Sequence, residues 1–170
     1  KLSLIGSKQC VDSVARSLAD EDLSHIARYA LERIPDDEAV SAMRESMPKV
    51  GGNLLIGVIN SLGVRRDEQS VVALTKLLDD SNQMIAAAAA AALGSIGNAE
   101  AAKALKAYQD EAPDELELVV ADAYLRCAEQ LLKAGKKVEA MAIYKSLMTH
   151  KAKHVGLAAR RGLLAAAQAK

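Results

Sequence analysis

Three stretches of this chain align with one another without a gap, and their 31-residue period constrains the fold more than any other feature. The copies are anchored at Leu31, Leu62 and Leu93. In each, an apolar residue follows 12 positions later (Met43, Leu74, Leu105), and a cap-type residue stands five after the anchor (Asp36, Asp67, Asn98). A fourth copy opens the chain. There Leu2-Ser3-Leu4-Ile5-Gly6-Ser7 matches Leu93-Gly94-Ser95-Ile96-Gly97-Asn98, Val14 stands for Leu105, and the spacing to the next copy is 29. A period of roughly 20–50 residues belongs to chains whose units stack on one another rather than fold alone.

Each column has a physical reason. The anchor Leu ends one helix with its side chain in the core. Gly6, Gly63 and Gly97 fall near helix ends, where a left-handed backbone is easily reached. Ser7, Asp36, Asp67 and Asn98 suit the N-cap of the next helix, whose first amides lack partners. Asp37, Glu38, Glu68 and Glu100 then favour the positive end of its dipole. Val40, Met43 and Met47, like Val71, Leu74 and Leu78, recur at three and four, an apolar stripe on a helix. One unit is therefore two helices and two tight turns, and it must stack to bury both apolar faces.

The pattern resembles the short bacterial HEAT repeats first named from phycobilisome lyase subunits. Residues 80–105 carry it most closely, in Asp80, Ile85, Ala88, Ala89, Ala92, the run Leu93 to Asn98, Ala101, Ala102 and Leu105. The likeness covers residues 1–109. One departure is consistent: the Arg that the family places seven before the anchor is here Ser24, Leu55 or Ala86. The polar ladder built on that Arg is thus expected to be absent, with van der Waals packing in its place. The seven alanines from Ala86 to Ala92 fit close helix approach.

Beyond Tyr108 the unit lengthens. Gln109–Glu117 holds five acids and Pro113, a loop and a helix start. Tyr124, Ala128, Leu131, Gly135, Ala140, Tyr144 and Leu147 then resemble a tetratricopeptide repeat in their spacing. A last helix is expected over 155–169. The resemblance implies an all-α fold, a right-handed α-α superhelix (α-solenoid) of about five antiparallel helix pairs. It would form a single domain over 1–170, with HEAT repeats in 1–109 and a tetratricopeptide-like pair plus terminal helix in 110–170. The chain opens inside a repeat, which suggests a piece of a longer protein.

Composition agrees with helices. Aromatics make up only 2%, four Tyr with no Phe or Trp, and no period-two alternation marks a strand. Net charge is zero, which argues against a general nucleic-acid binder. The balance is uneven, however. Residues 136–170 hold eight bases and one acid, Glu139, whereas residues 1–134 hold 14 bases and 21 acids. Cys10 and Cys127 are too far apart in sequence to suggest a metal knuckle and read as small core hydrophobes.

Candidate catalytic and metal sites are weak. His150 and His154 stand four apart but lack a third ligand and sit beside Lys151 and Lys153. Diiron members of the HEAT group carry His-Glu pairs, whereas His25, His150 and His154 precede Ile, Lys and Val. Glycosylases built on such arrays need aromatic residues to hold a base, and Trp and Phe are missing. Gly51-Gly52 and Gly94-x-x-Gly97 lack the strand and Lys of a phosphate loop and read as helix-end glycines.

The expectation is accordingly a non-catalytic scaffold with no cofactor and no metal, whose partner is a protein or peptide rather than a membrane. A docking module within a multidomain enzyme is the alternative, and nucleic-acid binding through the basic segment a third. Second helices (21–34, 52–63, 81–96) are expected to line the concave face and first helices (8–19, 38–48, 69–79, 99–109) the convex one. Exposed positions of the second helices, Ser24, Arg28, Asn53, Asn60 and Gln83, are the candidate partner contacts.

Overall fold

The computed structural model describes residues 8–168. Gly6, Ser7 and the rest of the opening repeat copy up to Ile5 lie outside the described residues. Ten α-helices and no strands occur among the described residues. In chain order they are α1 (Val11–Ala15), α2 (Ser24–Leu31), α3 (Asp37–Ser46), α4 (Gly52–Arg65) and α5 (Val71–Lys76), followed by α6 (Gln83–Ile96), α7 (Ala99–Gln109), α8 (Asp114–Lys133), α9 (Lys137–Leu147) and α10 (Lys153–Gln168). Short 3₁₀ turns extend α1, α3 and α5, over Lys8–Cys10 and Arg16–Ala19, Met47–Lys49, and Glu68–Ser70 and Leu77–Asp79. Odd-numbered helices are the first members of five hairpins and even-numbered ones the second.

The helices form two layers. Second helices touch in succession, α2 on α4, α4 on α6, α6 on α8 and α8 on α10. First helices lie behind them, α1 against α3 and α5 against α7. The anchors Leu31, Leu62 and Leu93 and their partners Met43, Leu74 and Leu105 have no exposed surface. The two apolar repeat columns read from the sequence are thus core columns. Burying one such side chain contributes about 1.5–3 kcal/mol, so the recurring pairs carry the cohesion of the stack.

Turn chemistry sets the register. Asp20 Oδ1 accepts from the amides of Asp22 and Leu23, both at 3.0 Å, and Asp80 Oδ1 from Asn82 at 2.8 Å. These Asx turns reverse the chain inside the first and third hairpins. Asn82 and Asn98 cap α6 and α7 by accepting from Met84 N at 3.0 Å and Ala101 N at 2.8 Å. Asp36 stands at the N-cap position of α3, but contrary to the sequence expectation its side chain makes no cap hydrogen bond there. Asp67 precedes α5 but is turned elsewhere: it accepts from the Ser70 hydroxyl, and Arg44 Nε of α3 lies 3.0 Å from its Oδ2.

Two sequence expectations need correction. Gly63 is not a left-handed helix end. It lies within α4, where a Cβ would meet Ala92 Cα at 3.0 Å, and the left-handed residue is Arg66 at φ 51°. In the next copy the same register position is Gly97, at φ 64°. Polar links between repeats are also present. Arg65 donates to the carbonyls of Leu31 and Glu32 at 3.2 Å, to that of Ile34, and to that of Pro35 at 3.4 Å. Ser61 donates to Glu32 at 2.7 Å, and Arg126 of α8 to Ser95 of α6 at 3.4 Å. These links do not recur as a ladder, since the residues three after the anchors are Ile34, Arg65 and Ile96; they are single polar ties added to the van der Waals packing.

Candidate interaction surface

The outward faces of the second helices form one surface, because positions 31 apart fall side by side. Tyr29, Asn60, Ala91 and Asp122 make one such row, and Arg33, Val64, Ser95 and Arg126 another. Charge is unevenly distributed along the chain. α6 contains no ionisable residue, and α4 contains only Arg65, which is taken up by the carbonyls at the end of α2. The exposed groups in this middle section are Asn53, Asn60, Val64, Gln83 and Met84, with half-buried Ile56, Ala87, Ala91 and Ser95 between them. By contrast α7 shows Glu100, Lys103 and Lys106, all exposed, on the opposite layer.

Exposed apolar side chains share this bias. Of ten large hydrophobic residues left exposed among the described residues, seven lie on second helices: Ile26, Tyr29, Val64, Met84, Leu118, Leu157 and Leu164. First helices contribute only Val72 and Val138. Single exposed apolar residues of this kind are ordinary, and second helices are also the longer members of each pair.

Of the five positions singled out from the sequence, Asn53, Asn60 and Gln83 are exposed on α4 and α6. Ser24 is not. It is 2% exposed at the start of α2, with no hydrogen-bond partner for its hydroxyl, so it faces the interior. Arg28 is half-buried and donates from Nη1 to the Gly57 carbonyl at 3.2 Å. A Cβ at position 57 would stand 2.5 Å from the Arg28 Cζ, so Gly57 makes room for the guanidinium. Arg28 joins α2 to α4. Tyr29 of α2 and Arg33 in the turn after it are both exposed, the guanidinium carbon lying 3.6 Å from the ring centroid. An i,i+4 aromatic–Arg pair was the available signal.

The histidines are engaged differently. His150 Nδ1 accepts from Ala152 N at 3.1 Å, and its Nε2 lies 3.4 Å from Glu117 Oε1. Lys151 binds the same Glu117 carboxylate, and that hydrogen bond is the main cause of a raised Lys151 pKa. This triplet pins the turn between α9 and α10 onto α8. His154 is exposed. Among the described residues no group of three or more His, Cys, Asp or Glu is placed to hold a metal ion, and no helix is long and apolar enough to cross a membrane. Cys127 is fully buried, and burial pushes its thiol up to about 12.

Stacked hairpins with a continuous second-helix layer define an α-solenoid of helix pairs. Residues 53–124, from α4 into the middle of α8, match the family of HEAT repeats. No curated protein matches the chain.

Proposed function

We propose that this protein is a non-catalytic scaffold that binds a protein partner on the second-helix layer, centred on α4 and α6. The observation that carries this is the uncharged outward face of those helices, Asn53, Ile56, Asn60, Val64, Met84, Ala87 and Ala91. A solvated helix face is ordinarily rich in charge. Small and neutral residues let a partner backbone come close without burying unpaired ions, whose desolvation is costly. Residues 80–105 suggest repeats of the short bacterial type, and the helix pair from Tyr124 to Leu147 one of tetratricopeptide character. Close packing of α6 on α8 supports one continuous domain across 1–170.

A photo-crosslinking side chain placed in turn at positions 60, 91 and 103 tests the assignment. Positions 60 and 91 are expected to capture the same protein, and Lys103, on the first-helix layer, is not. Asn53→Glu should abolish both crosslinks without lowering helix content. Capture from position 103 alone would refute the face.

A further inference from the structure

We propose that the groove at the carboxyl ends of α4, α6 and α8 binds an acidic segment of a protein partner. The groove encloses about 300 Å³ and is bordered by Arg66, Glu68, Gly97, Gln130, Lys133 and Lys136. Arg66, Lys133 and Lys136 are exposed, and none has an acidic partner among the described residues. They come from three separate places, the left-handed cap of α4, the last turn of α8 and the cap of α9. The dipole of α8 accounts for a Lys in its last turn. It does not account for the convergence of the other two on the same opening, where Glu68 opposes them, with Glu100 beside Lys136 in the adjoining groove.

A second feature points to a ligand with a donor as well as a negative charge. The side chain of Gln130 rests on Gly97, where a Cβ would come within 2.2 Å of the Gln130 Cβ. This packing holds the side-chain oxygen of Gln130 out of solvent with no hydrogen-bond donor. Buried acceptors are normally satisfied, so a ligand toward which the Gln130 amide turns supplies a hydrogen bond that the free protein lacks. A peptide supplies both complements, with N–H groups for Gln130 and Asp or Glu side chains for the three cations. Ion pairs on such a rim steer the encounter, and a desolvated hydrogen bond holds the bound state.

The test uses the whole chain and a short fluorescein-labelled peptide of alternating Asp and Ala, followed by anisotropy at low salt. Binding should weaken as salt rises and fall at least about tenfold in Lys133→Glu/Lys136→Glu. Gln130→Leu should weaken it about fivefold with the salt dependence unchanged, as loss of an uncharged contact requires. All three positions tolerate change without unfolding if far-ultraviolet dichroism and the urea midpoint stay put. Undiminished binding to the Lys133→Glu/Lys136→Glu protein overturns the proposal. Equal loss in Arg160→Glu/Arg161→Glu, on α10, does so too, and so does equal binding of the peptide with Asn in place of Asp. The proposal rests on the protein-binding reading for the kind of ligand only. Failure here with the crosslinks at 60 and 91 intact removes the groove and leaves that reading standing.

Discussion

Gly94 of α6 lies directly on the backbone of Ala123 in α8: a Cβ at Gly94 would stand 2.4 Å from the Ala123 carbonyl oxygen and 2.9 Å from its Cα. Gly63 of α4 repeats the relationship with Ala92 of α6, more loosely, at 3.0 Å. Glycine–alanine contacts at equivalent repeat positions thus set how close consecutive second helices come.

Gly94→Ala is therefore expected to destabilise the fold. A helix-interior position gains about 0.8–1 kcal/mol when Gly becomes Ala, and one in the last turn, as both are here, gains less. Forcing a methyl into closed backbone contact costs about 1–3 kcal/mol, and here the obstacle is backbone that cannot rotate away. The net expectation is a loss of about 1–2 kcal/mol for Gly94→Ala and a change near zero for Gly63→Ala, read from urea midpoints. Equal effects at the two sites would show that helix spacing is set elsewhere.

Arg66 and Gly97 hold the same position in successive copies, both left-handed, at φ 51° and 64°. A non-glycine residue there costs about 1–2 kcal/mol, while glycine costs roughly 0.5–1 kcal/mol more unfolded-chain entropy. Arg66→Gly should stabilise the protein by about 0.5–1 kcal/mol, because the strain removed exceeds the entropy lost. Gly97→Ala should destabilise it by at least about 1–2 kcal/mol, since it meets both the left-handed penalty and the Gln130 stem. Thermal melts of the two variants should move in opposite directions.

Much of this architecture was legible from the repeat. Columns at 31-residue spacing located the helix pairs and the buried anchors, because one apolar periodicity serves both local helix formation and packing. What stayed hidden was rotation about each helix axis. Ser24 sits where Leu55 and Ala86 sit in the next copies, and those two are buried as well. A polar residue at that column reads as exposed from sequence, yet it is buried. Asp67 shows the same limit: its cap chemistry is visible in sequence, but its engagement by Arg44 depends on the neighbouring hairpin. The uncharged character of α4 and α6 was visible as well, but which of its residues face outward emerges only once α2 and α8 are packed on either side.

Arg65 holds the carboxyl end of α2 by donating to the carbonyls of Leu31, Glu32, Ile34 and Pro35. The first two are carbonyls that the end of α2 leaves without partners, and the other two follow in the connection to α3. Arg65→Ala should cost about 1.5–3 kcal/mol, the range for hydrogen bonds to a charged group. The loss should be local, with faster amide exchange in α2 and unchanged protection in α8. Arg65→Lys should recover only part of it, since a single ammonium cannot span several carbonyls as a planar guanidinium does. Uniform loss of protection across the chain would instead make Arg65 part of a single cooperative unit.

Cys127 gives the fold a defined alkaline limit. Its Sγ lies 3.8 Å from the Asn98 carbonyl, which the thiol can reach as a donor, and burial raises its pKa from 9.0 to about 12. Below pH 9 the thiol is neutral in folded and unfolded chains alike, and its contribution is fully present. Above pH 9 the unfolded chain ionises first, so stability falls as pH rises toward 12. One such group has a limiting slope of about 1.4 kcal/mol per pH unit. Tyr108, Tyr124 and Tyr144 are raised from 10.0 mainly by burial as well, so they steepen the fall only above pH 10. Urea midpoints should accordingly be level up to pH 8.5 and decline from pH 9. In Cys127→Ala they should start lower, through loss of the buried sulfur, but stay level to pH 10. A decline in Cys127→Ala that begins at the same pH as in the parent protein would place the alkaline limit on another group.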